Sequence, residues 1–220
     1  FIYNLIYKEH MKNLLICVTG SVASILLKEI VNYAINSNLY KVKVVLSKNS
    51  ENFVDKEKCK EIVDSLNVEI FSDDHEWNYW GDKKEVLHIE LRKWADILLI
   101  CPLSANTLAK ICCGICDNLV TCIIKAWEKS KPVFYALAMN TLMYVNDKTQ
   151  YYRDILNKEY GWYEIPVASK KLKCGDIDKG ALTQIKDIYK TIDNEVNINK
   201  KIPYYLKKES KNNEIEKKKD

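Results

Sequence analysis

No apolar run in the chain approaches the roughly 20 residues that cross a bilayer, because Lys or Glu interrupts every one. This excludes a helical membrane span and predicts a soluble protein. The chain also lacks G-x-G-x-x-G and G-K-[ST], so neither a dinucleotide fingerprint nor a P-loop is present. Histidine is scarce, with His10, His75 and His88 only. Cys112, Cys113 and Cys116 have no second pair or histidine at ligand spacing, so no metal site is expected. The opening FIYNLIYKEH carries charge and no small-residue cleavage pattern follows it, so residues 1–12 read as an N-terminal extension.

What is present fits one domain. At 220 residues with 47% hydrophobic and 29% charged side chains, the chain is long enough to bury a core without metal or disulfide. The net charge of +4 comes from residues 199–220, which hold eight Lys and four acidic groups. The body is therefore neutral, with no basic footprint for nucleic acid. Residues 191–220 read as a basic, disordered tail and residues 13–190 as the working domain. Cys17, Cys101 and Cys122 sit inside apolar runs, where a thiol serves as a small hydrophobe. This predicts a reducing compartment, the cytoplasm.

Apolar runs rich in β-branched residues alternate with helical patterns, which predicts a three-layer α/β fold with a doubly wound parallel sheet. The expected strands are Leu14–Thr19, Lys41–Leu46, Val68–Phe71, Asp96–Cys101, Val133–Ala138 and Trp162–Pro166. Helices are expected over Val22–Asn36, Glu57–Leu66, Glu85–Trp94, Ala105–Ile111, Asn118–Trp127 and Thr149–Lys158, with Ser72–Lys84 and Ala168–Gly180 irregular.

In such sheets ligands bind beyond the carboxyl ends of the strands. After the first strand, Gly20 and Ser21 open a helix, which suits either a phosphate seat or a simple N-cap. After the second come Ser47, Lys48, Asn49 and Ser50, with Phe53 behind them. After the fourth, Ser104, Asn106 and Thr107 crowd around Ala105, more polar groups than one cap needs. The fifth strand runs into Asn140, set between Met139 and Met143, where an amide either caps a helix or reads a substrate. Near the C-terminus Cys174 is followed by Gly175 and Gly180, with Lys170, Lys171 and Lys173 close by, a composition expected of a flap. His88 sits among apolar residues and is the one histidine near this edge.

Together the motifs TGSVA, HIELRKWADILLICPLSANTLAKI, GICDNLVTCIIKAW, AMNTLM and LKCGD resemble the homo-oligomeric flavin-containing cysteine decarboxylases, over about residues 13–182. The likeness is strongest to members that act on 4'-phosphopantothenoylcysteine in coenzyme A synthesis. It implies a Rossmann- or flavodoxin-like fold, FMN as cofactor and a homotrimer with the flavin at the subunit interface. The FMN contacts it implies are Gly20, Ser21, Val22, Ser47, Asn49, Phe53, Ser104, Ala105, Asn106, Thr107 and Ala138. It implies substrate binding by Asn140 and Met143, a proton donor in Cys174 and an early role for His88. Lys171 and Lys173 are the candidate cations for the substrate phosphate.

A cysteine carboxylate loses CO2 only if the departing electron pair has somewhere to go, and oxidation of the sulfur-bearing carbon by flavin creates that sink. Leu137 stands where these proteins usually have Pro, Tyr144 where they have Trp, and Asp178 and Leu182 where Gly and Met are common. Loss of the proline is expected to loosen the approach to Asn140. Two other readings compete: a non-catalytic relative that regulates a protein phosphatase, expected to carry an acidic tail, and a decarboxylase of peptidyl C-terminal cysteine.

Overall fold

Successive side chains of a strand point to opposite faces, and in the two central strands here both faces are covered. The computed structural model describes residues 11–171 and 177–199. Leu14, Ile16 and Val18 of β1 (Lys12–Val18) join one core, and Leu15 and Cys17 join the other. Every residue of β4 (Ile97–Leu103) is buried. With β2 (Tyr40–Leu46), β3 (Glu69–Phe71), β5 (Val133–Leu137) and β6 (Tyr163–Ile165) they form a six-stranded parallel sheet in the order β3-β2-β1-β4-β5-β6.

One face is covered by α1 (Leu27–Asn36), α2 (Lys56–Leu66) and a C-terminal helix through Ile30, Val31, Ile62, Ile188, Tyr189 and Ile192. The other carries α4 (Leu87–Trp94), α5 (Ala105–Cys113) and α6 (Leu119–Lys125) through Leu87, Leu91, Leu108, Ile111, Val120 and Ile123. This is the predicted three-layer α/β arrangement, with the strand order reversing between β1 and β4. At that switch point the loops after β1 and β4 diverge and open a crevice at the carboxyl edge.

The structure departs from the sequence reading in four places. Ser72–Lys84, expected to be irregular, holds α3 (Asp73–Lys83). Its first turn carries Asp73, Asp74 and Glu76, which favour the positive helix end, while its apolar periodicity is too weak to announce a helix. Ala168–Gly180 forms an antiparallel pair instead, β7 (Ala168–Lys171) with β8 (Ile177–Ala181). Between Met139 and the next predicted helix lies α7 (Thr141–Val145), followed by α8 (Asp147–Asp154) and one turn of π-helix at Ile155–Glu159. Finally, the domain does not stop at 190. The last helix, α9 (Ile185–Asn199), runs nine residues into the segment read as disordered, because Ile188, Tyr189 and Ile192 form an apolar stripe that packs on α1, and Tyr189 donates its hydroxyl to Ile30 O at 2.8 Å.

Candidate functional site

The ends of β1 and β4 are joined by one hydroxyl. Thr19 Oγ1 donates to Pro102 O at 2.8 Å and accepts from Ser104 N at 2.8 Å, and the residue is fully buried. Thr19 N–H also donates to Pro102 O at 3.2 Å. Each of these bonds fixes where the following loop departs.

Gly20 then passes so close to the loop after β2 that a Cβ on it would stand 2.6 Å from Asn49 Cβ. Only glycine permits this approach. Ser21 caps the short 3-10 turn at Val22–Leu26 and donates its hydroxyl to Ala138 O at 3.0 Å, tying the β1 loop to the end of β5. Ala138 N–H donates in turn to Leu103 O at 3.2 Å.

On the β2 side, Ser47 N–H donates to Val18 O at 3.0 Å, and a 3-10 turn at Lys48–Asn52 follows, ending at half-buried Phe53. Ser47 is 6% exposed, and its Oγ has no hydrogen-bond partner among the described residues. A buried hydroxyl without a partner costs about 1–3 kcal/mol. It marks a position where a ligand oxygen would be welcome. On the β4 side Ser104 caps α5, accepting from Thr107 N at 3.3 Å, with Thr107 buried, Ala105 half-buried and Asn106 exposed. Gly20, Ser21, Ser47, Asn49, Ser104, Ala105, Asn106, Thr107 and Ala138 therefore stand at the ends of adjacent central strands, with Val22 exposed beside them.

The Asn140 segment borders this cradle. Asn140 Oδ1 accepts from Leu142 N at 2.9 Å, so the amide does cap α7. The segment is nevertheless open: Leu142 is 77% and Met143 50% exposed. The hairpin closes against it, with Met139 N–H donating to Gly180 O at 2.9 Å and Lys179 N–H to Thr141 Oγ1 at 3.3 Å. Gly180 has φ +107°, and a Cβ there would meet Met139 O at 2.7 Å. Leu137, in place of proline, is fully buried and pairs in register with Leu103, so the approach to Asn140 is held by β4.

His88 lies apart from these residues in its bonding. Its Nδ1 is 2.5 Å from Glu76 Oε1 and its N–H donates to Glu76 Oε2 at 3.1 Å. Asp73, one turn before Glu76, accepts from Lys48 N at 3.3 Å and from Leu119 N at 2.9 Å, which docks α3 between the β2 loop and α6. Sequence reading missed Thr19, Glu76 and Asp73. Thr19 reads in the sequence as the last residue of a strand, whereas the other two lie in the stretch read as loop. Cys174 and Lys173 lie outside the described residues, as does the side chain of Lys171. Burial pushes the thiol of Cys101 up to about 12 and raises those of Cys17, Cys59 and Cys122 above their ordinary range.

Residues 4–197 match the family described as Flavoprotein. The chain belongs to this flavoprotein family. It is 48% identical over 182 residues to the Probable phosphopantothenoylcysteine decarboxylase of Arabidopsis thaliana, a match covering 81% of this chain and 86% of that one. Among solved structures, a PPC decarboxylase Cys-to-Ser mutant complexed with pantothenoylaminoethenethiol superposes with TM-score 0.75 at 40% identity, covering 85% of this chain and 99% of the other. The FMN binding protein AtHal3 superposes with TM-score 0.74 at 42% identity, covering 83% and 95%. The cradle suits FMN on its own terms. It offers a buried hydroxyl without a partner, a glycine passage that any Cβ would fill, and a capped helix start at an edge where a phosphate is favoured.

Proposed function

We infer that this flavoprotein is a phosphopantothenoylcysteine decarboxylase, which uses FMN to convert 4'-phosphopantothenoylcysteine to 4'-phosphopantetheine in coenzyme A biosynthesis. The observation that carries the reading is the junction of two features at one sheet edge: a cradle with a partnerless Ser47 hydroxyl, and an open Asn140–Met143 segment bonded to the hairpin beside it. When bound, FMN supplies a two-electron acceptor and donor, so that decarboxylation proceeds with no net redox change.

The chain's own residues bind and orient. Gly20, Ser21, Ser47, Asn49 and the α5 cap residues Ser104–Thr107 would hold the cofactor's phosphate and polar chain, with Val22, Phe53 and Ala138 against its apolar parts. Asn140, already oriented by its bond to Leu142 N, has its amide nitrogen for a substrate carboxylate or carbonyl. Met143, half exposed, offers a soft apolar wall for a thiol-bearing carbon. His88, oriented through Nδ1 by Glu76, presents Nε2 as the atom that holds or takes a proton. Cys174, by resemblance, delivers the proton that completes the product, and Lys171 and Lys173 would attract the phosphate. The assembly we propose is a homotrimer in the cytoplasm. Exposed Val22, Ile25, Leu142, Met143 and Val145 around the site support a subunit contact there.

The test is purification, loading with FMN, and incubation under anaerobic conditions with 4'-phosphopantothenoylcysteine or with a peptide ending in cysteine. CO2 release from the first alone is expected. Release from the peptide alone would move the chain to the peptidyl class, and a yellow protein inert to both would reduce it to a flavin binder. Cys174→Ser is expected to release CO2 and accumulate the unreduced enethiol, seen by mass.

A further inference from the structure

Helix α8 touches the substrate-binding segment at three points with three kinds of contact. Thr149 donates its hydroxyl to Met143 O at 2.6 Å, Gln150 donates its amide to Tyr144 O, and the Arg153 guanidinium lies over the Tyr144 ring, 4.8 Å from its centre. Strand β8 holds the same segment through the bonds of Met139 to Gly180 and of Lys179 to Thr141. A Cβ built on Gly180 would lie 3.0 Å from Tyr144 Cβ and 3.5 Å from its Cγ, so only a glycine lets the strand pass this close to the Tyr144 side chain. Residues 139–144 are thus held by both α8 and β8, beside a cleft of about 560 Å³ lined in part by Tyr144, Gln150, Arg153, Glu164 and Lys179.

Arg153 is where the grip is anchored. Its Nε donates to Glu164 Oε1 and Oε2 at 3.0 and 3.1 Å, Nη2 donates to Oε1 at 2.7 Å, and Nη1 donates to Gln150 Oε1. Glu164 also accepts from Asn157 Nδ2 at 3.1 Å, and the Tyr135 hydroxyl lies 3.0 Å from the same oxygen. The two charged side chains are 22% and 13% exposed. A guanidinium with every nitrogen engaged is not a free cation for an anionic ligand. Nor is a largely buried ion pair strong evidence of stabilisation, since apolar residues of similar volume often serve as well. What this pair does supply is direction: it fixes the plane beneath Tyr144 and the end of α8 that holds Met143 and Tyr144.

We propose that Arg153, paired with Glu164, is a positioning residue for substrate, holding Tyr144 against the hairpin and thereby setting Asn140 and Met143. The proposal rests on the decarboxylase reading. In the FMN-loaded protein, Arg153→Met is expected to raise KM for 4'-phosphopantothenoylcysteine about tenfold or more, while FMN affinity and absorbance stay as in the unsubstituted protein. Arg153→Lys, which keeps charge without the planar fork, recovers only part of the loss.

The double variant Arg153→Leu with Glu164→Leu separates positioning from stability, because it leaves no buried charge unpaired. Its thermal midpoint is expected to return close to that of the unsubstituted protein while KM stays raised. Recovery of both midpoint and KM in the double variant would overturn the proposal, as would unchanged KM in Arg153→Met or a parallel loss of FMN affinity. Absence of turnover by the unsubstituted protein would remove the decarboxylase reading, and this proposal with it.

Discussion

Single side chains at strand ends do most of the shaping here, and they divide into those that hold the protein and those that await a ligand. Thr19 belongs to the first kind: its hydroxyl gives one bond to Pro102 O and takes one from Ser104 N with no exposure to solvent. Thr19→Val keeps the volume and strands both partners, so it should cost about 1–3 kcal/mol in denaturant unfolding and weaken FMN binding together. Ser47 belongs to the second kind, and its substitution should split the two effects. Ser47→Ala removes a buried hydroxyl that has no partner among the described residues, so the FMN-free protein should gain about 1 kcal/mol of unfolding free energy, while FMN affinity measured by fluorescence falls about fivefold to tenfold. Unchanged affinity would remove Ser47 from the cradle. The polar residues after the first, second and fourth strands were legible in the sequence because so many short donors rarely crowd at the end of an apolar run. Thr19 was not, since a β-branched residue closing a strand reads as part of the strand. Asn140 satisfied both readings open to it, capping α7 while standing at the rim of the site.

Secondary elements serve as rulers between these residues, and α3 shows this best. Its first residue, Asp73, accepts from the backbone of Lys48 and of Leu119, so one carboxylate spaces the β2 loop from α6 and sets the place of Glu76 and His88. Asp73→Ala should cost about 1–2 kcal/mol, because both bonds are charge-assisted but partly solvated. It should also lower turnover more than FMN affinity, because the shift falls on His88. Equal losses in both would place α3 in the cofactor cradle instead. The helix escaped sequence reading because its polar, aromatic-rich face carries little 3.6-residue periodicity. The hairpin escaped for a different reason: β7 and β8 are short and lie outside the main sheet, so their strand character comes from pairing with each other across Ala168–Ala181. Helix α9 was lost to the lysine-rich composition that follows it, although Ile185, Ile188, Tyr189 and Ile192 repeat at helical spacing.

At the scale of the molecule, the fold places its chemistry where the strand order reverses between β1 and β4, and the main sheet was legible throughout because continuous apolar strands are hard to mistake. The same deep packing makes stability depend on pH at the alkaline end. Cys17 and Cys101 are fully buried, and burial raises both thiols, Cys101 to about 12 from an unfolded value of 9.0. With folded values above unfolded ones, the stability they contribute is complete below 9.0 and is lost as pH climbs toward about 12. The thermal midpoint should therefore hold steady up to about pH 8.5 and fall progressively above it. A midpoint that stayed level across that range would mean that these thiols are more open than their positions allow. The central claim, that this chain removes a carboxyl group from a cysteine by a cycle with no net oxidation, is tested most directly by the mass of the product made anaerobically from 4'-phosphopantothenoylcysteine. The account predicts a product lighter by one CO2 and nothing else, formed over many turnovers without added reductant. A product lacking two further hydrogens from the unsubstituted protein, or one turnover per FMN, would contradict it.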